Sequence, residues 1–153
     1  MEARIVDFPE TRIAAVEHRG SPGTENATAR RLIEWRIANR VSPERHRTFG
    51  IHYTDPRTTP AGEHRVDFAV EFAHDVAPNP QAIVAKCIPG GRCAVARHLG
   101  SRENNTIAVW LFERWLPLSG EVQRDFPIFF HYVNVGPHVR ESEMITDVYL
   151  PIR

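Results

Sequence analysis

The sequence predicts an α+β fold: two tandem strand–helix–strand–strand units forming an eight-strand antiparallel sheet, with two main helices and a central cleft. Two observations lead to this prediction. Ten residues beginning at Arg12 match ten beginning at Arg92, and five of the ten pairs are identical. Strand-like alternation and one helix-like segment then recur in the same order in each half.

The repeat keeps its spacing along the chain. At the same offset of 80 residues, Trp35 falls on Trp115 and Asp67 falls on Asp147. A slip of one residue aligns the tripeptide ending at Tyr53 with the tripeptide ending at Tyr132, which predicts that these two tyrosines are equivalent. We therefore expect one domain over residues 1–153, built from pseudo-repeats of about 1–74 and 81–153.

In the first half, turns that contain Pro or Gly separate the predicted elements. Pro9-Glu10-Thr11 is expected to turn between two strands, and Ser21-Pro22-Gly23 introduces a helix that ends before Pro43. The predicted elements are strands at 2–7 and 12–19, a helix at 24–39, and strands at 48–54 and 65–71.

The second half repeats this order. Pro89-Gly90-Gly91 predicts a hairpin turn, and Pro117 is expected to stop the helix. The predicted elements are strands near 82–88 and 92–98, a helix from about 103 to 116, and strands near 127–134 and 144–152.

Composition narrows the functional classes. Lys plus Arg and Asp plus Glu both number 19, so no basic excess indicates direct nucleic-acid binding. Neither a membrane span of roughly 20 apolar residues nor an apolar signal core is evident, which indicates a cytoplasmic protein that does not bind membranes. Cys87 and Cys93 are expected to be small buried hydrophobes, since the sequence shows no metal-ligand spacing. We expect no cofactor.

His18 and His98 stand at equivalent strand ends, each just before a Gly-Ser pair. A duplicated histidine is more consistent with a structural role than with a single active site, so we expect each ring to hold a strand-to-helix corner. Gly20 and Gly100 are expected to supply a backbone conformation that a side chain would strain.

Aromatic residues are the best candidates for a binding site. The equivalent Trp35 and Trp115 are predicted to be core anchors, whereas Trp110 has an arginine as its counterpart and is expected to be partly exposed at a cleft or a partner surface. Tyr53 and Tyr132 are predicted to line a shared cleft, although ordinary core positions remain an alternative. No nucleophile motif or phosphate loop is present, and the duplicated aspartates favour structural roles.

Seven segments carry a recognisable pattern: 50–56, 59–61, 65–67, 88–95, 115–120, 127–134 and 146–152. In this order they resemble GyrI-like proteins, the family of DNA gyrase inhibitory proteins (SbmC) and of effector-binding domains appended to AraC-type regulators. The resemblance covers nearly the whole chain and implies a ligand cleft between two repeats, small-molecule binding, and in some members gyrase inhibition, protection against toxic compounds, or hydrolysis.

One departure from the family pattern bears on the ligand. The resemblance implies a Pro-x-Phe-Glu-x-Tyr segment beginning at Pro127, whose glutamate pairs with cations or serves as acid and base, but this chain has Phe130 in that place. We therefore predict a non-catalytic binder of an apolar or aromatic compound, with Tyr53, Phe130, Tyr132 and Trp110 as ligand-binding residues. The alternatives are a protein-interaction inhibitor of DNA gyrase and a small-molecule hydrolase that uses His131 or Glu143.

Overall fold

The computed structural model describes residues 1–153, apart from the side chain of Asn104, and it divides into two compact units. The first unit is Thr11–Ile88, and the second unit combines Met1–Glu10 with Pro89–Arg153. The strands are β1 (Arg4–Phe8), β2 (Thr11–Arg19), β3 (Thr48–His52), β4 (Arg65–Glu71), β5 (Val84–Ile88), β6 (Gly91–Leu99), β7 (Phe129–Tyr132) and β8 (Ile145–Pro151). The helices are α1 (Glu25–Asn39), α2 (Thr106–Trp110), a π-helical turn (Leu111–Trp115) and α3 (Leu116–Ser119).

The first unit is a four-stranded antiparallel sheet in the order β3-β4-β2-β5, with α1 on one face. Alternate residues of β2 point toward α1, because side chains alternate between the two faces of a strand. Ala14 and Val16 thereby pack with Leu32 and Trp35 in one apolar core.

The second unit repeats this arrangement with its strands in the order β1-β6-β8-β7. Its helix-side core combines Ala94 and Ala96 of β6 with Val148 and Leu150 of β8, and Leu111 is fully buried against them. The predicted α+β class, with eight antiparallel strands, is confirmed.

The predicted hairpin at Pro89-Gly90-Gly91 is wrong. β5 pairs with β2, and β6 pairs with β1, so the first strand of each sequence repeat lies in the sheet of the other unit. A Cβ on Gly90 would lie 2.8 Å from the backbone nitrogen of Glu10, a close approach that excludes a side chain. Local alternation identifies a strand but not its partner, which is why the hairpin was the natural expectation.

The first helix confirms its prediction, whereas the second differs at both ends. The Asn105 side chain accepts hydrogen bonds from the backbone N–H groups of Ile107 and Ala108, so α2 begins at Thr106. The helical path then runs through Pro117 and ends at Gly120, whose φ of 75° is left-handed.

Both cysteines are free thiols, but only Cys93 is buried as predicted. Cys87 is exposed, because β5 is the last strand in the order of the first unit and its outer edge carries no neighbour within that unit. Over the described residues, no helix is both long and apolar enough to cross a membrane.

Candidate functional site

Trp110 lines a cavity of about 250 Å³ on the helical part of the second unit. Trp110, Arg114 and Leu118 lie one helical turn apart, so their side chains follow one another along the same face. Trp115 and Ser119 complete the lining. Trp110 is half-buried, as predicted from its arginine counterpart in the first repeat.

A π-helical turn over Leu111–Trp115 shapes this cavity. The backbone N–H of Leu116 donates to the carbonyl of Leu111, five residues earlier instead of four. Pro117 explains the wider turn, because in a regular α-helix its ring would clash with the carbonyl of Glu113. The π-turn therefore lets the helix continue past a proline that the sequence alone predicts to end it.

Because of the same π-turn, the equivalent residues Trp35 and Trp115 differ in burial. Trp35, on the regular helix α1, is 3% exposed and is the core anchor predicted for it. Trp115 packs only partly against its core and lines the cavity, so its prediction as a core anchor is correct only in part. One extra residue in a helical turn rotates the residues after it around the axis, which moves the indole away from the position that Trp35 holds.

Phe130 and Tyr132 lie in the same unit as Trp110. Phe130 faces Val148 across β7 and β8, and both Phe130 and Trp110 pack against the helix-side core of this unit. The rings of Phe130 and Tyr132 meet edge to face, with centroids 6.3 Å apart. Three of the four predicted ligand-binding residues therefore belong to the helix-facing side of one sheet, but Phe130 and Tyr132 are not among the described residues that line the Trp110 cavity.

Arg102 fixes the position of Tyr132. Its guanidinium carbon lies 5.0 Å from the centre of the Tyr132 ring, while its nitrogens donate to Thr146 Oγ1 at 3.0 Å and to the carbonyl of Asn134 at 2.8 Å. Burial lowers the pKa of Arg102, although the neighbouring phenol opposes this effect. Tyr132 is thus held in place by a half-buried cation.

Tyr53, the fourth predicted residue, lies in the first unit within a network of charged side chains. Its hydroxyl donates to Oδ2 of Asp67 at 3.0 Å, and the Asp67 carboxylate, which is fully buried, also accepts from Lys86 at 2.7 Å and from Arg19 at 3.1 Å. Glu17 joins the network through Lys86 and Arg19. Three cations lie 5.0 to 5.9 Å from the Tyr53 ring, namely Arg65, Arg19 and Lys86.

Three members of this network, Lys86, Tyr53 and Glu17, keep their ordinary protonation states at neutral pH. Desolvation lowers the pKa of Lys86, but hydrogen bonds to Asp67 and Glu17 outweigh it and raise the pKa overall. Burial and the adjacent Asp67 raise the pKa of Tyr53, and the hydrogen bond from Lys86 lowers that of Glu17. A protonated amine and a protonated phenol are not nucleophiles, so the arrangement is suited to structure rather than covalent chemistry.

Tyr53 and Tyr132 are not equivalent, and that prediction is wrong. Strand pairing matches Ile51 with His131, because each lies opposite the duplicated aspartate of its own repeat. The counterpart of Tyr53 is therefore Val133. Since a one-residue slip moves a side chain to the other face of a strand, the tyrosines lie on different faces of their respective sheets.

The duplicated histidines have the predicted structural role. Nε2 of His18 contacts the carbonyl of Ser21 at 2.8 Å, and Nε2 of His98 contacts that of Ser101 at 2.9 Å. Each ring thereby holds the corner that follows its strand. Gly20 and Gly100 have φ values of 128° and 104°, as their proposed role requires.

Sequence reasoning missed two further histidines of the first unit, His64, whose ring centre lies 6.0 Å from that of His18, and His52. His64 is 2% exposed, and its Nε2 lies 3.1 Å from Glu25, while burial and the charge of His64 lower the pKa of His52 to about 4. No group of three or more His, Cys, Asp or Glu side chains in the described part of the chain is placed to hold a metal ion.

A second cavity, of about 280 Å³, lies in the first unit between the end of α1 and residues 72–81. Its aromatic wall is Trp35 with Phe72, whose rings meet edge to face at 5.1 Å. The side chain of Asn79 makes four hydrogen bonds to backbone groups of its own loop, so this amide shapes the loop and has little capacity left for a ligand. The Trp110 cavity is therefore the better candidate.

These features define a duplicated α+β domain with an aromatic cavity, and comparison with known proteins identifies its family. The chain belongs to the GyrI-like family, because the model of the GyrI-like small molecule binding domain matches residues 1–153. It is therefore a small-molecule-binding domain.

Particular relatives follow from the same comparison. The chain is 36% identical to the "Probable transcriptional regulator YgiV" of Escherichia coli (strain K12), over 99% of this chain and 96% of that protein. It is 25% identical to a "DNA gyrase inhibitor" of Erwinia billingiae (strain Eb661), over 99% of this chain and 97% of that protein.

Among solved structures, the C-terminal domain of EcmrR superposes with a TM-score of 0.75 at 14% identity, covering 99% of this chain and 97% of that domain. The chain spans 57% of the longer EcmrR chain seen in a complex with DNA. At this level of identity the likeness shows a shared fold.

Proposed function

We propose that this domain sequesters or senses an apolar or aromatic small molecule, and that the Trp110 cavity contacts it. The observation that carries the proposal is the pair of half-buried indoles, Trp110 and Trp115, on the wall of one cavity. Indoles that stay partly exposed in a free protein offer a large apolar surface to a ligand. Phe130 and Tyr132 form a second aromatic pair on the same side of the sheet, outside the described lining of this cavity.

The proposed ligand class follows from Phe130, which stands where the resemblance to GyrI-like proteins implies a glutamate. Phe130 has no charge to hold a cation in an apolar environment, and it packs against the helix-side core. Tyr53 stays a predicted ligand-binding residue, and in the first unit its hydroxyl donates to Asp67. A flat aromatic compound without a positive charge therefore suits these residues better than a cation.

The experiment is a calorimetric titration with neutral 2-naphthamide. Trp110→Ala should weaken binding about five- to thirtyfold, since one stacking indole contributes about 1 to 2 kcal/mol in burial and ring contact. Leu99→Ala is the matched control, because Leu99 is another exposed apolar residue of the second unit, 68% exposed and outside the cavity lining. Equal affinities for wild type and Trp110→Ala would contradict this placement of the ligand.

Binding rather than catalysis is part of the proposal. His131 lies opposite Asp147 on the sheet face that points away from the helix-side core, and Glu143 is exposed in a short 3₁₀ turn. The two candidate acid–base residues are therefore not among the residues that line the cavity. We expect wild type and His131→Gln to hydrolyse 4-nitrophenyl acetate at the same rate. A wild-type rate well above the rate of the variant would favour the hydrolase alternative.

A second candidate function is inhibition of DNA gyrase, favoured by the name of the Erwinia billingiae relative. The direct assay is supercoiling of relaxed plasmid by purified gyrase in the presence of this protein. Inhibition at stoichiometric amounts would support it, and full activity at a large molar excess would remove it.

A further inference from the structure

The geometry points to a ligand that carries an anionic group, of the aromatic carboxylate class, held by Arg114. This inference rests on the proposed function, because it assumes that a ligand occupies the Trp110 cavity. It adds the charge of the ligand and the residue that selects it.

Arg114 is the charged side chain of the cavity lining. It lies four residues after Trp110 and directly before Trp115, and all three side chains line the same cavity. It is exposed, and within the described structure neither an ion pair nor a hydrogen bond engages it. A guanidinium presents several N–H donors in a planar fork that matches a carboxylate.

The other polar groups of the lining also favour an acceptor. The hydroxyl of Ser119 donates to the carbonyl of Leu116 at 2.8 Å and accepts from the backbone N–H of Glu121 at 3.0 Å, so it is already committed. The indole N–H groups of Trp110 and Trp115 are donors only. The uncommitted side-chain polar groups of the described cavity lining are therefore all donors.

Acidic residues nearby do not reverse this balance. No carboxylate belongs to the described cavity lining, and Glu121, just after α3, forms two hydrogen bonds with Arg92 at 3.0 and 3.1 Å. A cationic ligand would meet the Arg114 charge without a carboxylate in the described cavity lining to compensate it, whereas a carboxylate ligand would gain charge-assisted hydrogen bonds.

The size of the effect is set by the exposure of the site. Ion pairs at protein surfaces contribute modestly, and hydrogen bonds to charged groups contribute more, so we expect the carboxylate to bind about three- to twentyfold more tightly than a neutral amide of the same ring. Because the pair stays partly solvated, this preference should shrink as the salt concentration rises.

The test uses three compounds that share one ring: 2-naphthoate, 2-naphthamide and 2-naphthylmethylammonium. Calorimetry at pH 7 and low salt compares wild type, Arg114→Gln and Arg140→Gln, the last being a matched loss of an exposed arginine of the same unit outside the cavity. We expect affinity to fall in the order carboxylate, amide, ammonium. Arg114→Gln should remove the advantage of the carboxylate over the amide, and Arg140→Gln should keep it.

The outcomes separate this inference from the proposed function. Binding of 2-naphthamide without a preference for 2-naphthoate, or a preference that survives in Arg114→Gln, overturns the role of Arg114 and leaves the proposed function intact. Failure of wild type to bind any of the three compounds overturns both. Circular dichroism of each variant verifies that it is folded.

Discussion

Replacing Asp67 by asparagine tests whether the buried carboxylate organises the sheet of the first unit. Asp67 is fully buried and receives hydrogen bonds from Tyr53, Lys86 and Arg19, at 3.0, 2.7 and 3.1 Å. Asparagine keeps the shape of the side chain but loses its charge, and its amide N–H groups oppose one of the two cations. The substitution therefore removes an interaction without creating a cavity.

The expected cost follows from the exposure of the partners. Removing one partner of a buried ion pair costs about 3 to 5 kcal/mol, because the other charge is left buried and unpaired. Here the cations keep some access to water, with side chains 27% and 35% exposed for Lys86 and Arg19, and both still contact Glu17. We therefore expect a loss of about 2 to 3 kcal/mol, which lowers Tm by roughly 4 to 12 °C for a domain of this size.

The duplication supplies an internal control. Asp147, the equivalent residue in the second unit, forms a two-point pair with Arg97 at 2.8 and 3.0 Å, and the Arg97 side chain is 53% exposed. Asp147→Asn should cost only about 1 kcal/mol. Urea unfolding followed by circular dichroism measures both variants. A loss below about 0.5 kcal/mol for Asp67→Asn, or equal losses for the two variants, would refute the argument from burial.

Three further predictions concern protonation, the π-turn and a corner glycine. Burial, and then the charge of His64, lower the pKa of His52 to about 4 from its usual 6.5. The contribution of neutral His52 to the free energy of unfolding should therefore be complete above pH 6.5 and should be lost as the pH falls toward 4. In urea titrations, His52→Gln should make the free energy of unfolding depend less on pH between these two values. Pro117→Ala should let the helix return to regular α geometry and weaken binding of 2-naphthamide severalfold without loss of stability, and unchanged affinity would disconnect the π-turn from the cavity. Gly100→Ala should lower stability by about 1 kcal/mol or more in thermal melts. Because the φ of Gly100 is 104° and no atom lies within 4 Å of an added Cβ, this loss would come from backbone strain. Gly62 is equally open but has no positive φ, so Gly62→Ala should leave the melting temperature unchanged.

The periodicity of apolar residues and the positions of Pro and Gly were sufficient to predict all eight strands and the first helix to within about two residues at most ends. They failed where a single residue changes the outcome. The slip that matched Tyr53 with Tyr132 was attractive because of residue identity, but the strand register assigns Val133 as the counterpart. Alternation has a period of two, so an error of one residue exchanges the faces of a sheet.

The candidate site was predictable in part. The contrast between Trp110 and an arginine in the other repeat was enough to indicate partial exposure, which is confirmed. Arg114 and Trp115 were missed as lining residues, because the extra residue in the π-turn disrupts the helical periodicity on which the reasoning relied. Pro117 inside an otherwise helical segment was the available signal, and its position predicts either a stop or a distorted turn.

The sequence by itself determined the α+β class, the duplication, the order of the elements and the corner histidines, because each of these follows from local patterning or from residue identity at a constant offset. Only the tertiary structure decided which strands pair and where the aromatic residues lie. Two of the strand pairs, β5 with β2 and β1 with β6, join segments that lie far apart in the chain. Local alternation specifies the apolar face of a strand, but it does not specify the neighbouring strand that completes its hydrogen bonds.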